Sequence, residues 1–256
     1  MKSQSQYIAK SKIEKKLHSK ILKFGKIFRI IPFVRLVAVC NNVSFFRVKE
    51  NSDIDIFIVA KKGRLFIVRT LVTFLLHVFG VRRYGKKINA RFCLSFFVDE
   101  SVVDFSSIAV ENDIYLAYWI NRLKLIVDYS NFYEKTFLPS NSWILKFWDN
   151  SFLADENRFY FFINDNIFYK SFRFLISFFL LSYWGNFIES LLRKWQLKRA
   201  GVKLNKLGKN SSIVLSANML KFHNFDRRLL YRKQWFKLFS NSEKINDDKF
   251  LALDIL

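Results

Sequence analysis

Residues 33–40 (FVRLVAVC) and 53–59 (DIDIFIV) are two short apolar runs separated by a polar stretch, and they restrict the fold more than any other feature. Runs of this length suit strands, and a strand apolar on both faces belongs inside a mixed or parallel sheet covered on both sides. An α+β fold with a mixed sheet and flanking helices follows. The second run opens on Asp53 and Asp55. Side chains alternate along a strand, so these carboxylates share a face, about 6.6 Å apart along the chain. Carboxylates this close disfavour each other's ionisation, and a divalent cation that prefers oxygen ligands, such as Mg²⁺ or Mn²⁺, removes the penalty. The residues also suit a plainer reading, in which ENSD (50–53) is a polar turn and Asp53 bonds its own backbone.

The segment resembles the signature of the nucleotidyltransferase superfamily that includes DNA polymerase beta and the small bacterial nucleotidyltransferases. That signature is an apolar strand, a Gly-Gly or Gly-Ser turn, a spacer, then Asp, apolar, Asp or Glu, apolar. Asp53-Ile54-Asp55-Ile56 fits its second half, whereas Asn41-Asn42 stand where the family carries the glycine pair or Gly-Ser. PFVRLVAV, AKKGRLFIVRTLVTFLL, GVRR, FCLSFFVDE and the later FHNFD are similar to uncharacterised bacterial proteins with such a domain. The resemblance implies a polymerase-beta-like nucleotidyltransferase domain over residues 1–130; the periodicity of 131–256 predicts a helical C-terminal region.

It also implies a function: transfer of a nucleoside monophosphate from an NTP to an acceptor, which is nucleic acid, protein or a small molecule, by a two-metal mechanism. Asp53 and Asp55 would be the catalytic metal ligands. The family usually carries a third carboxylate on a nearby strand. Alternation along residues 92–98 puts Cys93, Ser95, Phe97 and Asp99 on one face, so Asp99 is the candidate, with Glu100 behind it. The turn Asn41-Asn42, together with Ser52, Arg47 and Lys49, would hold the triphosphate. Asparagine adopts the left-handed conformation more readily than other non-glycine residues, so the path of the family's turn can survive there.

The chain has 43 Lys and Arg against 21 Asp and Glu, a formal charge of +22. Such a balance attracts phosphate, whether in nucleotides, nucleic acid or anionic lipid headgroups. A second reading therefore keeps the fold and drops the chemistry: a degenerate nucleotidyltransferase-fold protein that holds nucleic acid or another polyanion. Asn41-Asn42 and the serine at mid-strand, Ser95, favour it; the intact aspartate pair favours catalysis. The 31 phenylalanines, set among lysines, add a third reading, peripheral contact of amphipathic helices with anionic membrane. Cys40 and Cys93 sit in apolar runs and read as buried free thiols of a reducing, cytoplasmic setting. His18, His77 and His223 show no zinc spacing. The basic N-terminal stretch lacks an apolar signal core. The longest apolar stretches, 65–81 (interrupted by Arg69 and His77) and 174–184, do not read as transmembrane segments, which need about 20 apolar residues.

Periodicity predicts an amphipathic helix over 8–31, ended by Pro32, and a short helix or coil over 43–50. It predicts a helix over 64–79 closed by Gly80, another over 113–128 with Asp113 near its N-cap, and a short one at SWILKFWD capped by Ser140 or Asn141. A polar break at 154–166 marks the best internal boundary. One long helix should follow over 167–200, its basic second half (Arg193, Lys194, Lys198 and Arg199) carrying Trp195 beside the charges. A turn-rich stretch over 201–221, a basic helix over 226–239 and a polar tail close the chain.

Overall fold

The computed structural model describes residues 11–148, 158–204, 213–222, 226–239 and 244–253. Helix α1 (Lys12–Gly25) starts at a capping box in which Ser11 and Glu14 satisfy each other's backbone amides, and it buries Leu17 and Ile21. A separate turn of helix, α2 (Ile27–Ile30), follows where one continuous helix was expected. The apolar runs become β1 (Val34–Cys40) and β2 (Ile54–Ala60), paired antiparallel, with the single-turn helix α3 (Asn41–Ser44) between them. Leu36 through Cys40 are at most 1% exposed, as expected for a strand covered on both sides.

Helix α4 (Leu65–Val78) carries the chain from β2 to β3 (Phe92–Asp99), which lies parallel to β2. Gly80 ends the helix with a φ of 65°, a left-handed conformation that suits glycine. The start of α4 has no side-chain cap of its own. The Glu189 carboxylate, reaching over from a later helix, accepts hydrogen bonds from the Phe66 and Ile67 amides at 2.9 and 2.8 Å.

Residues 113–128 depart from the expected helix. Asp113 does cap α5 (Ile114–Asn121), accepting from the Leu116 amide at 2.9 Å, but the helix then stops. Lys124–Asp128 form β4, antiparallel to β1. All five residues of β4 are buried, and an apolar run of that length carries no period that separates helix from strand. After a π-turn at Tyr133–Phe137, α6 (Leu138–Ser140) leads into a 3₁₀ segment, Ser142–Phe147, in place of the expected α-helix. Asn141 does not cap it. Its fully buried amide accepts from the Phe105 amide (2.9 Å) and donates to the Val103 and Phe137 carbonyls (2.7 and 2.8 Å).

Part of the expected boundary at 154–166 lies outside the described residues; the rest is packed. The Leu125 amide donates to the Arg158 carbonyl at 2.7 Å and the Ile163 amide to the Ile126 carbonyl at 3.0 Å, while Tyr160 and Phe161 are buried. The expected long helix is two, α7 (Ile167–Leu180) and α8 (Tyr183–Leu204), meeting at an 85° bend. Among the described residues, no single helix is long and apolar enough to cross a membrane.

The turn-rich stretch holds two short strands, β5 (Val214–Leu215) and β6 (Met219–Lys221), and β6 pairs antiparallel with β3. The region after residue 130 is thus not wholly helical. Six strands form one mixed sheet in the order β4-β1-β2-β3-β6-β5. Helix α9 (Arg228–Leu238) and α10 (Asp247–Leu251) close the described chain. The final segment is not a free polar tail: Phe250 and Leu253 are fully buried, and the Phe250 ring stacks on Tyr118 with centroids 3.5 Å apart. One face of the sheet, carrying Ala38, Phe57, Val59 and Phe96, packs against α5 and α9. The other, carrying Val37, Ile56, Ile58 and Phe97, packs against α1, α2 and α4.

Candidate metal and nucleotide site

Asp53 and Asp55 stand at the N-terminal end of β2, beside the C-terminal end of β1, where Cys40 pairs with Asp55. A turn delivers them there: the Ser52 hydroxyl accepts from the Lys49 amide at 2.8 Å, and the Ser52 amide donates to the Lys49 carbonyl at 2.9 Å. Cys93 of β3 lies opposite Asp55. Single ligand atoms from Asp53, Asp55 and Cys93 all lie within 4.8 Å of one another. The polar turn is present, and it leaves the two acids close together.

Each carboxylate has its own partners. The Asn41 side chain donates to Asp55 at 3.0 Å, and Tyr115 in turn donates its hydroxyl to the Asn41 oxygen at 3.2 Å. Ser95 approaches Asp55 at 3.5 Å. Arg83 donates to Asp53 at 2.5 Å from a side chain 41% exposed. Burial, then the neighbouring Asp55 charge, pushes the Asp53 carboxyl above the ordinary range against the pull of Arg83. Burial pushes Asp55 up as well, opposed by the hydrogen bond from Asn41 and those from Cys93 and Ser95. Burial and the two carboxylates raise the Cys93 thiol, so it stays protonated at neutral pH and donates to Asp55.

This donor set fits one hard divalent cation between two carboxylates. Arg83 occupies one side of the pair, with its side chain 41% exposed.

The other residues singled out in the sequence divide sharply. Asn41 belongs to the site and sits at φ 58°, the left-handed conformation its residue type tolerates. Asn42 contributes its carbonyl, which accepts from the Arg47 amide at 2.8 Å. The Arg47 side chain turns away and donates to the Leu251 carbonyl of α10. Lys49 is exposed, and the Ser52 hydroxyl is spent within its own turn.

Asp99 does not join the pair. It pairs in register with Ala60, five residues beyond the Asp55–Cys93 pairing, about 17 Å along the strand. There it accepts from the Ser101 amide at 2.9 Å and the Ser101 hydroxyl at 2.5 Å. Glu100 lies at that end too, ion-paired with Arg35 at 2.6 Å. Six residues of β3 separate Asp99 from Cys93, so sharing a face could not have brought it to the pair, and a bulge removes the shared face as well. Between the Asp55–Cys93 and Phe57–Phe96 pairs β3 spends one residue more than β2, a bulge that moves every later side chain to the other face. Among the described residues, no third carboxylate joins the cluster.

Sequence reasoning missed Arg83, Tyr115 and Lys221. A narrow cavity of about 60 Å³ opens beside Asn41 and is lined by Tyr115, Phe96, Trp119, Lys221 and Arg228. Burial, then the Arg228 charge, lowers Lys221 to about 8. The basic pair Arg82-Arg83 directly after Gly80 was the one available signal for Arg83; nothing local marked Lys221. Comparison of the chain with protein-family models, curated proteins and solved structures gave no match.

Proposed function

We propose that this chain is a nucleotidyltransferase-fold protein that binds a divalent cation with a nucleoside triphosphate at Asp53 and Asp55 and transfers the nucleoside monophosphate to an acceptor. The observation that carries the reading is the convergence of two partly buried carboxylates at one strand end, within reach of a single cation. Bound Mg²⁺ would neutralise charge on the triphosphate and on the departing pyrophosphate, and would activate the acceptor oxygen. Asn41, braced by Tyr115, holds the Asp55 carboxylate in position. Arg83, beside Asp53, would face the phosphates of a nucleotide held by the cation. Lys221, lowered by burial, lines the cavity beside Asn41 together with Asp226 and Arg228 and adds a cation on that side of the site. Calorimetry with Mn²⁺ and each NTP should show metal-dependent binding that Asp53→Asn and Asp55→Asn abolish. Absence of metal-dependent binding for every NTP would sink the proposal.

A second reading has its own observation. Arg83 already neutralises Asp53, and Cys93 and Ser95 flank Asp55 where the family carries its third acid. Both features suit a degenerate copy that holds a polyanion on its basic surface. In that case nucleic-acid affinity falls steeply with salt and ignores both aspartates.

A further inference from the structure

Helix α7 has no buried residue. Phe174, Phe178 and Phe179 are each 70% exposed, and at the bend into α8 Tyr183 and Trp184 are 79% and 68% exposed. Phe187, Leu191 and Trp195 continue the exposed apolar surface along α8. A contiguous patch of this kind marks a surface that docks on something. Its charged surroundings indicate what. Arg193, Lys194, Lys198 and Arg199 are exposed on α8, with the Arg199 guanidinium 5.7 Å from the Trp195 ring. Beside Phe174 a pocket of about 380 Å³ is lined by Arg35, Lys61, Lys170 and Arg173 and by no acidic residue. Two of these four cations are paired, Arg35 with Glu100 and Arg173 with Asp165, so the balance there remains positive.

A second copy of the chain is a poor occupant, because two molecules of charge +22 repel, whereas an anionic surface attracts both the pocket and α8. The bent pair is apolar enough taken together to enter a bilayer, and the helix lengths favour an interfacial seat over a span. The 14 residues of α7 extend about 21 Å, short of the roughly 30 Å hydrocarbon core, and the 85° bend turns α8 away. Tyrosine and tryptophan at such a bend favour the headgroup level. We propose that the bent α7–α8 pair is an interfacial anchor that seats on an anionic lipid bilayer, its rings at the acyl–headgroup boundary and its cations on headgroup phosphates.

The test is co-flotation of the full chain with vesicles of phosphatidylcholine and phosphatidylglycerol, compared with phosphatidylcholine alone. Binding to the anionic vesicles, weakened by salt and accompanied by a blue shift of tryptophan emission that Trp184→Phe diminishes, is the expected result. The triple variant Phe174→Ser/Phe178→Ser/Phe179→Ser should lower partitioning by about tenfold or more for each ring that enters the bilayer. Its circular dichroism and melting should match the parent, since those rings are not part of the core. Lys198→Glu/Arg199→Glu should reduce the preference for anionic lipid. No flotation, equal flotation on neutral vesicles, or unchanged binding by the triple variant would overturn the proposal. So would dimerisation in sedimentation velocity that the triple variant abolishes, since the patch would then belong to a second copy.

Discussion

Arg83 and a divalent cation compete for the same carboxylate, so removing the guanidinium should tighten metal binding. Its nitrogen lies 2.5 Å from an Asp53 oxygen. A metal ion about 2.1 Å from that oxygen sits roughly 4 Å from the guanidinium. At that separation a divalent ion and a unit charge repel by about 2 kcal/mol at the dielectric of water. The Arg83 side chain is 41% exposed, and screening by salt and solvent brings the figure to about 1 kcal/mol. Arg83→Gln should therefore lower the Kd for Mn²⁺ about fivefold. Water-proton relaxation enhancement or calorimetry with Mn²⁺ alone measures it without any assumption about the nucleotide, and Asp55→Asn serves as the binding-dead control. An unchanged or weakened Mn²⁺ affinity in a variant that melts like the parent would place the cation elsewhere and refute the reasoning.

Asp55→Asn should raise the melting temperature at pH 7 in metal-free buffer, by a gain of about 0.5–2 kcal/mol typical of neutralising a strained functional group. The folded-state pKa of Asp55 is raised by burial, so its penalty is absent at low pH and grows as pH rises through the folded value. The difference between variant and parent must then shrink toward acid, as melts across pH will show. Asn141→Ala strips three hydrogen bonds from buried backbone groups and should cost about 3 kcal/mol or more, measured by urea unfolding. Lys221 should react with amine reagents along a pH profile centred near 8, followed by peptide mass spectrometry; a midpoint matching the surface lysines would contradict its burial.

The central strands were legible because their signal is local. The apolar runs 34–40 and 54–60 are short, rich in Val and Ile and bounded by polar residues, which favours strand over helix, and Gly80 announces the end of α4 whatever packs on it. Asn41 was legible for the same reason, its left-handed backbone being a property of its residue type. What escaped depends on distant partners. Lys124–Asp128 become a strand only because β1 offers an open edge, and Met219–Lys221 only because β3 does. The two aspartates could be placed from spacing alone, but the third position could not. Asp99 lies at the opposite end of β3 from Cys93, which only the register of β2 against β3 reveals, and one extra residue in β3 also turns it to the other face. Arg83 reaches Asp53 across 30 residues of sequence, a contact set by the path of α4.

That path has a mechanical consequence. One end of α4 is clasped by Glu189 through the Phe66 and Ile67 amides, so the rod is bolted to α8. Its other end passes through Gly80, Val81 and Arg82 to the guanidinium resting on Asp53. A helix about 21 Å long therefore links the Glu189 clasp on α8 to the segment that carries Arg83, so the aromatic arm and the carboxylate pair are footed on the same rod.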